Sequence, residues 1–269
     1  MIIHADDLAL AHSVDGASFT ALDRGAASSA SIMVPCPWFT EAAAYAKGHP
    51  DADLGIHLTM NSEWKQYRWG PVASRGEVPG LLDLYGWLHP GPPMTMKNAK
   101  PEEVEREIRA QVDLAVKAGI HPSHLDSHMG TLFSPAFFPA YVKVAREYGV
   151  PFFALPLVTA SAAFKSLIRE TDIFPDAYAM ATESWKSEQW PEYYAGIVKG
   201  LKPGLTELIV HLGHDDAELQ AITEGHPAFG SAWRQRDFDV LTGAPFKKLL
   251  EDNHVILLGW KDIQKILPR

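Results

Sequence analysis

The chain holds a single cysteine, Cys36, among its 269 residues. One thiol excludes an internal disulfide and any zinc site built on cysteine, so a metal ion here would have to be held by histidine and carboxylate. No run of lysine and arginine occurs, and the net charge is -9. That balance argues against a nucleic-acid or anionic-membrane partner, because nothing is present to neutralise phosphates. There is no apolar run long enough to span a bilayer, no glycine-rich phosphate loop, no internal repeat and no low-complexity tract. No leader pattern precedes the first strand, so the expected location is the cytoplasm, or the periplasm or exterior if a signal peptide has been removed. What remains is an ordinary globular composition, 46% hydrophobic and 21% charged. The length suits one large α/β domain over residues 1–269.

The densest stretch of chemistry is His124-Leu125-Asp126-Ser127-His128. As a strand it would turn His124, Asp126 and His128 to one face and Leu125 and Ser127 to the other. Burying an ionisable face needs a cation, a substrate or a set of hydrogen bonds. The plain alternative is a polar strand end.

Seven apolar runs read as strands: 2–7, 29–34, 53–58, 124–128, 151–155, 206–211 and 254–259. Helical patterns alternate with them, at about 13–25, 39–47, 101–119, 137–148, 234–250 and 261–267. This is the rhythm of a parallel sheet with crossover helices, and the expected fold is α/β, an irregular seven-stranded (β/α) barrel resembling a TIM barrel. Two long connections, 59–100 and a helical or irregular stretch 160–200, are expected to cover its active face. They carry Trp64, Trp69, Trp185 and Trp190, whose faces suit sugar rings, or else form small cores of their own.

Asp6 and Asp7, His57, Asp126 and His128, and His211 fall at or just after the ends of four different strands. In a parallel barrel these ends meet at one face. Adjacent residues of a strand point apart, so Asp6 and Asp7 can share a site only if the chain already turns there; capping of the first helix is the alternative. One Asp and two His with open positions suit a catalytic metal that activates water, and the histidines suit zinc. A second carboxylate can serve as base and a further His as acid, which fits hydrolysis of an amide or ester. The pattern leaves open whether His4, His124 and His214 join the site.

Four motifs in order, Ile3-His4-Ala5-Asp6-Asp7, Gly55-Ile56-His57-Leu58, His124 to His128, and Glu207-Leu208-Ile209-Val210-His211, resemble those of the YdjC-like carbohydrate deacetylases. This family includes chitooligosaccharide and hopanoid-sugar deacetylases. The stretch from Arg234 to Thr242 and the closing Gly259-Trp260-Lys261-Asp262 also look like the family's C-terminal region. The resemblance implies a divalent metal, commonly assigned as magnesium in the family, held by Asp7, His57 and His128, with Asp6 as base; His211 is the candidate acid by analogy with the more distant polysaccharide deacetylases. The resemblance also implies an N-acetylated sugar as substrate; composition and loop placement make Trp64, Trp69 and Trp185 candidates to touch it, and Asp126 and Arg234 are further candidates. The chain departs from the family at His4, where Asn is usual, at Leu8-Ala9, where Phe-Gly is usual, and at Met129-Gly130-Thr131, where a His-rich run is common. A metal-dependent hydrolase of another ester or phosphoester and a catalytically silent sugar-binding protein are the competing readings. A homodimer is neither required nor opposed by the sequence.

Overall fold

The computed structural model describes residues 1–267. Among these, six strands form one sheet in which every neighbouring pair is parallel. They are β1 (Ile2–Leu8), β2 (Ser29–Ile32), β3 (Leu54–Leu58), β4 (Leu125–Ser127), β5 (Ala177–Met180) and β6 (Thr206–Val210), in the order β4-β3-β2-β1-β6-β5. The helices of the first half are α1 (His12–Asp23), α2 (Phe39–Gly48), α3 (Pro92–Asn98), α4 (Pro101–Lys117) and α5 (Phe138–Glu147). Those of the second half are α6 (Pro156–Thr159), α7 (Trp190–Gly200), α8 (Ala217–Ile222), α9 (Ser231–Leu241), α10 (Ala244–Asp252) and α11 (Trp260–Ile266). None is long and apolar enough to cross a membrane.

Helix α4 shows how sequence becomes packing. Pro101 takes the first helical position, and Glu103 turns back to accept the Lys100 backbone N–H at 2.9 Å. Val104, Ile108, Val112 and Ala115 then fall on one face and are fully buried, with α4 packed on β3. Cutting Ile108 to Ala would cost about 2–5 kcal/mol through lost burial and the cavity left behind.

Alternation along the strands divides the sheet into two faces. Ile3, Ala5, Ala30, Ile32, Ile56, Leu208 and Val210 face the helices and belong to the main core, which also takes in Cys36. Cys36 is buried, and burial pushes its thiol well up, which makes it an inert filler. The other face carries Ile2, His4, Asp6, Ser29, Ser31, Gly55, His57, Asp126, Glu207 and Ile209. At its lower end Ile2 packs with Phe153, Trp260 and Ile263 against Ile209, with buried Glu207 alongside Ile2. Above that plug it is polar. Gly55 is needed there because the His124 ring lies where a Cβ would be, 2.3 Å from it.

The sheet has six strands rather than the expected seven. Two expected strands do not form. Residues 151–155 make one bridge, Leu125 to Phe152, because β4 is only three residues long and leaves little edge to follow. Residues 254–259 bond to the start of the chain through Met1 N to Ile256 O and Leu258 N to Met1 O, and Ser28 Oγ donates to Leu258 O at 2.6 Å, but no ladder propagates. Conversely, the stretch 160–200, expected to lack a strand, contains β5. The connection 59–100 is also more ordered than expected, with α3, a short turn of 3-10 helix at Pro79–Leu81 and an antiparallel bridge from Leu82 to Leu88.

Candidate metal centre

The strand ends converge as the sequence pattern predicts. β1 slips register between Ala5 and Leu8, and Asp7 there adopts φ 71°. This bulge re-aims one residue, so both adjacent carboxylates reach the same space. Aspartate is among the residues that tolerate the left-handed region, and strain of this kind clusters at functional sites. His57 lies on β3, Asp126 on β4, and His128 follows β4 directly. His211 follows β6, where its backbone N–H donates to Asp237 Oδ2 at 3.1 Å.

Asp7 Oδ1 is the focus. It is buried and has no hydrogen-bond donor, while His57 Nε2 and His128 Nδ1 each stand 3.3 Å away without being aligned to donate to it. Each of the three groups has its other polar atom occupied. Arg234 Nη2 donates to Asp7 Oδ2 at 2.6 Å. His57 Nδ1 is 2.7 Å from Asp126 Oδ1, and His128 Nε2 is 3.0 Å from Glu63 Oε2. Ionised carboxylates only accept, so those two ring nitrogens carry hydrogen. An outer partner on each imidazole, fixing its ring orientation, is how proteins prepare histidine ligands for a metal. The residues present therefore fit a divalent cation held by Asp7, His57 and His128.

The electrostatics agree. Burial alone would raise the Asp7 pKa, but the Arg234 guanidinium and the two histidines outweigh it and hold the carboxyl well below its usual range. Burial also works against a charge on His57 and His128. Asp126 and Asp6 nevertheless push His57 well up, and Glu63 and Asp7 push His128 to about 9. The carboxylate field that favours protons on these rings equally favours a cation between them.

Asp6 stands at the mouth. Its side chain is 13% exposed and that of His211 11%, against 2% for Asp7, so solvent reaches the cluster past these two. Asp6 Oδ2 is 3.8 Å from both His57 Nε2 and His211 Nε2. Burial pushes the His211 pKa down to about 4, and Phe229 covers its ring at 4.8 Å between centroids.

Not every candidate side chain joins this group. Asp126 and Arg234 stand behind the cluster, holding His57 and Asp7 rather than facing open space. Trp64 and Trp69 are each 2% exposed and belong to the core, with Trp69 Nε1 donating to Asn61 O at 2.9 Å. Trp190 is buried as well and donates to Asp237 Oδ1 at 2.6 Å, helping to fix the backbone of His211. These three give the covering segments cores of their own and leave no face for a sugar. Trp185 is half-buried against Tyr193. His214 packs on Phe238 outside the group, whereas His4 and His124 lie inside the polar face. Glu63 was not foreseen: it comes from the long connection, and no local pattern marks it. A cavity of about 770 Å³ lies elsewhere, between residues 146–152, 169–174 and α11, and no residue of the cluster lines it.

A family model for YdjC-like protein matches residues 1–252. A carbohydrate deacetylase of Thermus thermophilus is 29% identical, with 99% of this chain and 94% of that protein aligned. Another from Thermoanaerobacter pseudethanolicus is 26% identical, covering 97% of each. A crystal structure from Enterococcus faecalis V583, described provisionally as a cellobiose-phosphate cleavage protein, superposes with a TM-score of 0.80 at 23% identity over 97% of both chains. That likeness carries the fold. With a match that runs through the bulged aspartates, both candidate histidine ligands and the arginine behind them, the chain belongs to the YdjC-like protein family.

Proposed function

We propose that the protein is a metal-dependent deacetylase that hydrolyses the acetamide of an N-acetylated sugar. The observation that carries this is Asp7 Oδ1, buried without a donor and faced by two imidazole nitrogens whose far sides are tied to carboxylates. Relatives aligned over nearly the whole chain are named carbohydrate deacetylases, which supports the substrate class. The sheet is read as an incomplete (β/α) barrel: Phe152, beside β4, packs on Phe174, ahead of β5, at 5.3 Å between ring centroids, bringing the two edges together.

Asp7, His57 and His128 would hold the cation, which would supply Lewis acidity for the acetyl carbonyl and for water. Two nitrogens and one oxygen suit zinc better than magnesium, which prefers oxygen. Asp6 Oδ2, at the solvent-facing mouth, removes a proton from the attacking water. His211 gives a proton to the departing amine. Because its pKa is about 4, His211 is neutral at rest, so the proton it delivers is the one Asp6 has just collected, 3.8 Å away. Asp126 and Glu63 keep the ligand rings aimed, and Arg234 keeps Asp7 ionised. Trp185, the half-buried member of the four tryptophans, is the one left to meet the sugar.

Acetate release from a panel of N-acetylated mono- and oligosaccharides, with stripped and metal-reloaded protein, tests the proposal. Metal-dependent release supports it. Hydrolysis of a phosphoester or another ester with no acetate from any sugar amide would replace it, and sugar binding without turnover would favour the silent binder.

A further inference from the structure

Residues two apart on a strand share a face, so His4 enters the inner face of the sheet beside Asp6. It is 1% exposed. Its Nδ1 lies 3.0 Å from Ser29 Oγ, and that hydroxyl donates its one hydrogen to Asp53 Oδ1 at 2.9 Å. Ser29 must therefore accept from His4 Nδ1–H. Asp53 is itself fixed, by Ser123 Oγ and by the Lys261 backbone N–H, each at 2.6 Å. At the other end of the ring, His4 Nε2 lies 3.2 Å from Asp6 Oδ1 and 3.1 Å from Asp126 Oδ2. The Nε2–H donates to Asp126 Oδ2 and faces Asp6 Oδ1 as an ion pair, so this nitrogen carries hydrogen too, and the ring is an imidazolium. The pKa agrees: burial opposes the charge, but Asp126 and Asp6 raise it to about 10.

We propose that His4 is the positioning residue for the base: the positive edge of its Nε2–H, which donates to Asp126, holds Asp6 Oδ1 at 3.2 Å and leaves Oδ2 as the oxygen that works. A carboxylate otherwise turns readily about its last torsion and presents either oxygen. Pinned at Oδ1, Asp6 keeps Oδ2 facing His57 Nε2 and His211 Nε2, both at 3.8 Å. His124, stacked on Trp260 below, does not make this link. The inference rests on reading Asp6 as the base.

The test uses the full-length, metal-loaded protein and compares His4→Leu with His4→Gln, which keeps a side-chain N–H. His4→Leu is expected to lower kcat by ~10–100-fold, as loss of an outer positioning partner does, with KM and metal content unchanged. His4→Gln should recover most of that loss. In an Asp6→Asn background His4→Leu should cost nothing further, since the group it positions is already gone. Wild-type kcat in His4→Leu, equal losses in Leu and Gln, or the same loss in the Asp6→Asn background would each overturn the proposal. If His4→Leu does not fold, His4→Thr, polar but too short to reach Asp6, replaces it with the same expectations. A wild-type protein that releases no acetate would overturn the deacetylase reading instead. The positioning claim is then decided by the crystal structure of the His4 variant: Asp6 Oδ1 leaves its place beside Asp126 if the claim holds and stays there if it does not.

Discussion

Replacing Arg234 by Met keeps the length of the buried stem and removes the cation behind Asp7. Arg234 is 1% exposed and makes two bonds, Nη2–H to Asp7 Oδ2 at 2.6 Å and Nε–H to Phe229 O at 2.7 Å. Removing one partner of a buried ion pair costs about 3–5 kcal/mol, because the remaining charge is left in a poorly solvating interior. The metal-free variant should lose about that much in urea unfolding. A bound cation gives Asp7 another partner, so with saturating zinc the loss should shrink to about 1–2 kcal/mol, mostly the orphaned Phe229 carbonyl. Metal should therefore stabilise the variant more than the wild type. The pH dependence has a definite sign. The folded pKa of Asp7 lies below its ordinary 3.8, so its share of stability is present above that value and is lost as pH falls through the folded pKa. Arg234→Met raises the folded pKa, and acid unfolding of the metal-free variant should begin at a higher pH. Equal losses with and without metal, or a metal-free loss under about 1 kcal/mol, would refute the reasoning.

Metal loading at pH 7 should release about two protons, since His57 and His128 hold theirs until a cation displaces them. Calorimetry in buffers of different ionisation enthalpy reads this, and His128's share should vanish above its pKa of about 9. Glu63→Ala should weaken metal binding by ~10–100-fold in a chelator competition at a pH where His128 is already neutral, because the ring loses its aim. Unchanged affinity there would remove Glu63 from the site. Trp64→Ala and Trp69→Ala should cost about 3–5 kcal/mol of stability through the cavities they leave. A raised KM at unchanged stability would instead return them to the sugar.

Much of the site could be read from the sequence, because a parallel sheet gathers strand ends and the alternation of β1, β3 and β4 dictates which residues meet. The condition that Asp6 and Asp7 share a site only if the chain turns is met by a bulge at Asp7. What escaped was set by tertiary context. β5 is Ala-Tyr-Ala-Met, a four-residue edge strand with no buried face to impose alternation. Residues 254–259 have strand composition, yet the backbone bonds they make toward the sheet go to Met1, too short an edge for a ladder. Composition marked Trp64 and Trp69 as aromatic without telling a sugar-facing ring from a core ring. Glu63 and Arg234 reach the cluster from a loop and a helix, so no local spacing ties them to His128 or Asp7. The pairing of His4 with Asp6 follows from the two-residue period of β1, although only the structure supplies Ser29 and Asp126 on either side of the ring.

The account stands most directly on the two neighbouring aspartates behaving differently, and metal occupancy with kcat, measured side by side on Asp6→Asn and Asp7→Asn, decides it. Asp6→Asn should keep its metal and fold while kcat falls ~10²- to 10⁴-fold, as expected when a general base is lost. Asp7→Asn should lose metal first and regain part of its activity when metal is added in excess. Wild-type turnover in Asp6→Asn, or full metal occupancy at ordinary metal concentration in Asp7→Asn, would contradict the assignment.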